Sequence, residues 1–250
     1  MMYGSLGVTI ALSAAVLFTP VTAGAQPNPQ DSTVTQDTPK AATPADVLRQ
    51  LKEGNERFVR GEPRKRDPAS EIRATAGGQH PTAAVLGCID SRVPVETVLD
   101  AGIGDMFVAR VAGNVADSDI VGSLEYATKV VGAKVVLVMG HTRCGAVKSA
   151  CEQVELGNIT GLLQKIAPAV DAVKGVPGGR DCKNVAFVDA AVRENVRLTM
   201  HRLREMSPIL KELEDSHDIM IVGALYDIST GKVDFLDAEA APGAPPVKGP

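Results

Sequence analysis

The chain has 250 residues, of which 44% are hydrophobic and 22% charged, with a formal net charge of −4. That apolar fraction excludes a chain disordered throughout, and the mild acidity gives no electrostatic footprint for a nucleic-acid partner. At most one long apolar segment excludes a polytopic membrane protein, and four cysteines are too few for a disulfide scaffold, so each is read for its chemistry.

The first segment reads as an address. Residues 1–25 carry an apolar stretch from Ile10 to Phe18, a break at Pro20, and the small-x-small site Ala23-Gly24-Ala25 before Gln26. This is the pattern of a cleaved secretory signal, which implies a periplasmic or secreted protein. It departs from the pattern in one respect, since no Lys or Arg precedes Lys40. The apolar core is short for a stable membrane anchor, and with no Cys before Cys88 no lipid anchor is expected. Residues 26–43, rich in Pro, Thr, Gln and Asp, read as a flexible linker, and the Ala/Pro/Gly-rich residues 238–250 as a disordered tail. One domain over 44–237 remains.

Inside that domain, Thr43 before Pro44, with Asp46 in the first turn, predicts a helix start. Val47, Leu51 and Phe58 follow at helical spacing, and the helix ends near Gly61. This arm precedes the sheet, and its apolar face must be buried against something. Strands are predicted over Thr82–Gly87, Met106–Val111, Lys134–Met139 and Ile219–Leu225, with a short edge strand over Lys232–Leu236. A helix over Ser118–Val131 presents Ile120, Leu124, Ala127 and Val131 on one face, and a longer one runs from Asn184 to Glu205. Strands alternating with helices predict an α/β fold: a mostly parallel sheet of four parallel strands plus a short edge strand, Rossmann-like, flanked by helices, with an N-terminal helical arm. Such sheets bind ligands beyond the carboxyl ends of their strands.

Two motifs fall at those ends. The first strand runs into Cys88-Ile89-Asp90-Ser91-Arg92, and the third into Gly140-His141-Thr142-Arg143-Cys144-Gly145. A lone buried cysteine is usually packing and a lone histidine usually a satisfied polar group. Cys88, His141 and Cys144 together make a Cys₂His zinc set, which leaves a fourth tetrahedral position open, as in catalytic rather than structural sites. A helix start beside Cys144 favours its thiolate. Asp90 and Arg92 leave the strand end on one side if the backbone stays extended. Either they form a plain surface ion pair, or Arg92 keeps Asp90 ionised so that it orients a zinc-bound hydroxide. Gly102-x-Gly104 is read as a turn, because a lone GxG is a weak nucleotide signal. Cys151 and Cys182 are read as two buried free thiols, with a disulfide as the alternative in an oxidising compartment.

These motifs resemble the β-class carbonic anhydrases. Cys88-x-Asp90-x-Arg92 and His141-x-x-Cys144-Gly145 match that family's pattern, joined by Arg92-Val93-Pro94, Val111-Ala112-Gly113-Asn114 and Gly122-Ser123-Leu124-Glu125-Tyr126-Ala127. The resemblance runs from Pro44 to Leu236. It implies one Zn²⁺ per subunit on Cys88, His141 and Cys144, with Asp90 and Arg92 as the catalytic dyad. It also implies Gln79, Phe107, Tyr126 and Gly145 at the substrate pocket. The implied reaction is reversible hydration of CO₂ to bicarbonate and a proton, in a homodimer or higher even oligomer whose pockets take residues from two subunits. In such dimers the N-terminal helix is expected to lie across the partner. A carbonyl sulfide or carbon disulfide hydrolase on the same scaffold, and a non-catalytic zinc-stabilised binding module, are the alternatives; the second leaves Asp90 and Arg92 without a role. Some members use a tryptophan in a regulatory bicarbonate pocket. Val85 stands at that position and the chain has no Trp, so the expectation is Asp90 paired with Arg92 and no cooperative inhibition by bicarbonate.

Overall fold

The computed structural model describes residues 42–236. The expected signal over 1–25, all but the end of the 26–43 linker, and the 238–250 tail lie outside the described residues.

Helix α1 (Pro44–Arg60) starts where Thr43 and Asp46 cap each other's backbone N–H groups at 3.2 Å and ends at Gly61, whose φ of 70° closes the helix in a left-handed turn. Helix α2 (Pro68–Thr75) is capped by Asp67. The sheet elements follow: β1 (Ala83–Gly87), a short α3 (Val95–Val98), β2 (Met106–Arg110), a single turn at Ala112–Asn114, then α4 (Ser118–Glu125). β3 (Val135–His141) leads into α5 (Gly145–Cys151), α6 (Gly157–Gln164), α7 (Ala167–Ala172), α8 (Val185–Met206) and α9 (Pro208–Asp215). β4 (Met220–Tyr226) and β5 (Val233–Phe235) complete the sheet.

The strand order is β2-β1-β3-β4-β5, with the first four parallel and β5 antiparallel. β1 and β3 are buried along their whole length, which is why they read as unbroken apolar runs rather than alternating ones. Their alternate residues feed two cores. Val85, Leu137 and Met139 pack with Val47 and Leu51 of α1 on one face. Ala84, Val136 and Val138 pack with Leu124 of α4 and Val196, Met200 and Leu203 of α8 on the other. A third core lies at the carboxyl end of the sheet, where Cys88, Cys144, Val147, Ile166 and Phe187 meet.

Two expectations are corrected here. The helix expected over Ser118–Val131 is α4 followed by a wider π turn over Tyr126–Val130, where the Val131 N–H reaches back to the Tyr126 carbonyl. The Thr128 hydroxyl takes the Leu124 carbonyl at 2.8 Å and so competes with the regular ladder. The N-terminal helix, expected across a partner, buries its apolar face on its own chain. Gly54 lets α1 approach so closely that a Cβ there would meet the Leu99 carbonyl oxygen at 2.1 Å. The buried Asn55 donates to the Val98 and Gly231 carbonyls and accepts from the Val233 N–H at 2.8 Å. These three bonds satisfy an amide that would be costly to bury bare.

Candidate metal centre

The parallel register puts the ends of β1 and β3 side by side, Gly87 opposite Met139, so the residues that follow each strand meet. Cys88 Sγ, a ring nitrogen of His141 and Cys144 Sγ all lie within 4.8 Å of one another, and all three residues are buried. His141 is fully buried. Its Nδ1 lies 3.0 Å from the Thr142 carbonyl, which makes Nδ1 the protonated nitrogen. Its other ring nitrogen, Nε2, is buried and has no hydrogen-bond partner. A buried polar nitrogen left unpartnered beside two thiols is a costly arrangement that a metal ion would relieve.

The Cys88 thiol is held well below its ordinary range, chiefly by the hydrogen bond from Cys144 and then by the Gly113 and Asp90 N–H groups. Cys144 is pushed up, because it keeps the proton the two sulfurs share and because it is buried. Its own sulfur faces the Val147 and Ala146 N–H groups at the start of α5. The donor set fits zinc: two soft sulfurs and one imidazole, crowded together with one ring nitrogen left unpartnered.

Asp90 and Arg92 form a bidentate pair, Nε to Oδ1 at 2.9 Å and Nη2 to Oδ2 at 2.7 Å. The Arg92 backbone N–H adds a bond to Asp90 Oδ1 at 3.0 Å. These bonds, led by the guanidinium, hold the Asp90 carboxyl well below the usual carboxylate range. Asp90 Oδ2 sits 3.8 Å from His141 Nε2, so the ionised carboxylate borders the ligand cluster. The expected pairing of Asp90 with Arg92 is what the structure shows.

Three supports escaped sequence reasoning. Arg110, at the end of β2, donates to the Cys88 carbonyl at 2.8 Å and the Asp90 carbonyl at 2.6 Å, fixing the backbone of the first motif. Arg143 adopts a left-handed φ of 55°, which lets the chain turn between His141 and Cys144. Asp189 of α8 accepts its N–H at 2.7 Å and holds that turn. Gly113 donates its N–H to Cys88 Sγ at 3.4 Å. Arg110 and Asp189 are ordinary charged residues in sequence, and nothing in their spacing marks the distant backbone they hold.

The carbonic anhydrase family profile matches residues 83–233, a span that contains every one of these groups. The chain belongs to the β-class carbonic anhydrases. It is similar to carbonic anhydrase 2 of Mycobacterium tuberculosis, with 38% identity over 200 residues that cover 78% of this chain and 93% of that one. A carbonic anhydrase of Mycolicibacterium smegmatis is 34% identical over 200 residues, covering 78% and 94%. Among solved structures, a Coccomyxa β-carbonic anhydrase in complex with acetazolamide superposes with a TM-score of 0.59 at 23% identity, covering 78% of this chain and 87% of that one. A tetrameric β-carbonic anhydrase of Sordaria macrospora gives 0.58 at 23% identity, covering 69% and 92%. These two share the fold. The family and the curated relatives make this β-carbonic anhydrase an enzyme of the carbonate dehydratase class.

Not every expected pocket residue of this carbonic anhydrase gathers at the cluster. Phe107, on the edge strand β2, and Tyr126, which is 51% exposed, pack edge to face with ring centroids 6.2 Å apart. They line a cavity of about 630 Å³ with Val85, Ser123 and Leu124, and none of Cys88, His141 or Cys144 borders it. Gln79 is exposed in the segment before β1. Gly145 opens α5 with no φ constraint and open space where a Cβ would go, so neither sterics nor backbone requires glycine there.

The expected free thiols are corrected as well. Cys151, at the end of α5, and Cys182, just before α8, form a disulfide with Cα atoms 5.7 Å apart. Cys88 and Cys144 are the free cysteines among the described residues. The disulfide ties the far end of the helix that Cys144 opens to the approach of α8.

Proposed function

We propose that the protein is an exported, zinc-dependent carbonic anhydrase that interconverts CO₂ and water with bicarbonate and a proton. Cys88, His141 and Cys144 are its zinc ligands, and Asp90 with Arg92 its catalytic dyad. The observation that carries the reading is His141 Nε2, a buried and unpartnered ring nitrogen beside two thiols and 3.8 Å from the Asp90 carboxylate. A zinc ion held by those three ligands would supply a Lewis acid that acidifies water.

The chain's own groups supply the rest. Cys88 and Cys144 would bind as thiolates and His141 through Nε2, since its Nδ1 is held by the Thr142 carbonyl. Arg92 pins Asp90 through both carboxylate oxygens, leaving the carboxylate acceptor-only. Asp90 accepts a hydrogen bond from the attacking oxygen and turns that oxygen's free lone pair toward the carbon of CO₂. Asp90 Oδ2 lies 3.8 Å from His141 Nε2, which places the orienting carboxylate beside the ligand set. With Val85 packed in the core and no tryptophan in the chain, the reading includes no regulatory bicarbonate pocket.

Phe107, Tyr126 and Gln79 are assigned to the pocket wall of a neighbouring subunit in an even-numbered homo-oligomer, and Gly145 to the wall beside Cys144. The support is position: β2 is a sheet edge, and the exposed Tyr126 ring opens outward beside it. The layout assigned is a signal over 1–25, a linker over 26–43, a catalytic domain over 44–237 and a tail over 238–250. Export rests on the signal pattern and on the Cys151–Cys182 disulfide, which persists in oxidising compartments.

Stopped-flow CO₂ hydration with zinc analysis on the same sample tests the reading. One zinc per chain with activity lost on chelation and restored by zinc is expected. Full activity in metal-free protein overturns it. N-terminal sequencing of the native protein is expected to begin near Gln26, and retained Met1 in soluble cytosolic material overturns export.

A further inference from the structure

Helix α8 carries an asparagine where the fold has least use for one. Asn195 is fully buried in the middle of a helix of 22 residues, where its short amide is a poor helix former and expensive to desolvate. Its Nδ2 donates to the Gly113 carbonyl at 2.7 Å, and its Oδ1 has no hydrogen-bond partner. The amide is thus buried for one bond.

That bond ends one residue from the metal centre. Gly113 belongs to the turn after β2, and its N–H is the group donated to Cys88 Sγ. Its φ of 68° favours glycine, and a Cβ there would meet Ile166 Cδ1 at 2.5 Å. Glycine is required, and glycine brings backbone freedom with it. The Gly113 N–H and carbonyl sit on two peptide planes that meet at its Cα, and the tight turn between them is held by an outside anchor. Asn195 is that anchor. α8 reaches deep enough to provide it because Gly140 in β3 admits the helix: a Cβ at Gly140 would meet Val196 Cγ2 at 2.7 Å and Val192 Cγ1 at 2.9 Å.

We propose that Asn195 is a positioning residue of the metal centre: by holding the Gly113 carbonyl it keeps the turn that aims the Gly113 N–H at Cys88 Sγ. The inference rests on Cys88, His141 and Cys144 binding zinc. Two thiolates offset the charge of Zn²⁺. An N–H held on one of them draws electron density back from the sulfur, keeps the ion a stronger Lewis acid and fixes the sulfur's direction. Groups that orient metal ligands in this way typically change affinity by about 10- to 100-fold when removed.

The test compares the full-length protein with Asn195→Leu, which fills the space without a donor, and with Thr199→Val. Thr199 is buried on the same helix with an unpartnered hydroxyl, and its replacement controls for a general loss in α8. Zinc affinity is read by competition with a chromophoric chelator. The sulfur-to-metal charge-transfer band of the cobalt-substituted protein is read alongside. Asn195→Leu is expected to lose about 10- to 100-fold in zinc affinity and to shift the cobalt band, while Thr199→Val keeps both. If Asn195→Leu does not fold, Asn195→Ala carries the same expectation. Wild-type affinity and an unshifted band in the Asn195 variant overturn the proposal alone, as does an equal loss in Thr199→Val. A wild-type protein that binds no zinc overturns the reading of the site and this proposal with it.

Discussion

The carboxyl ends of β1 and β3 and the outer edge of β2 belong to one sheet, yet they are opposite kinds of surface. At the strand ends every group needed for a metal site is buried, braced and supplied by one chain. Cys88, His141 and Cys144 are packed among Val147, Ile166 and Phe187, and Arg110, Asp189 and Asn195 hold the backbone around them. At the β2 edge, Phe107 and Tyr126 border an open cavity, and Tyr126 remains half exposed. A metal site tolerates little error in ligand position, and here hydrogen bonds from Arg110 and to Asp189 brace the backbone that carries the ligands.

The sharpest way to break this contrast is at the ligands. Cys144→Ser is expected to bring zinc content and CO₂ hydration to background, as read by metal analysis and stopped flow. Full zinc occupancy in that variant would remove the first region's claim to be the metal centre. Arg92→Ala comes next. It frees Asp90 without touching a ligand, so zinc is retained while kcat/KM falls by about 10²- to 10³-fold, within the usual range for a group that handles a proton. Loss of zinc in that variant would show the dyad to be structural.

The disulfide sharpens the same contrast from behind. Cys151 and Cys182 close a loop with a sequence separation of 31. The double replacement with serine is expected to lower unfolding free energy by about 3 to 4 kcal/mol, from chain entropy, as measured by denaturant titration. Zinc content at low temperature should not change; if it falls, the clasp supports Cys144 directly. The smallest effect belongs to the β2 edge. Tyr126→Ala should change the stability of the single chain by no more than about 0.5 kcal/mol, the usual range for a surface side chain. Its zinc content should stay full while kcat/KM drops several-fold. An unchanged kcat/KM would confine the substrate site to the strand ends.

The ends of the main elements were legible because capping is local. Thr43-Pro44 marks the first residue of α1, Gly61 its end, and Asn184 caps α8. The same signal stands at Asp67-Pro68 and Ser207-Pro208, where α2 and α9 begin, although neither sits beside a long apolar repeat. The buried strands were legible because both faces of β1 and β3 are covered, which demands unbroken apolar runs. The π turn at Tyr126–Val130 was hidden, since Thr128 fits a helical pattern until its hydroxyl competes for the Leu124 carbonyl.

What the sequence determined by itself is the chemistry that must lie at strand ends: two cysteines, a histidine, and an aspartate with its arginine, each fixed by local chain direction. What only the tertiary structure decided is whom the distant residues serve. Asn55, Asp189 and Asn195 are plain polar positions until the close approaches at Gly54 and Gly140 bring their helices onto the sheet. Cys151 and Cys182 could be free thiols or a bridge until packing set their Cα atoms 5.7 Å apart. Hydrogen bonds and disulfides act over a few ångströms, and only packing decides which parts of a chain come that close.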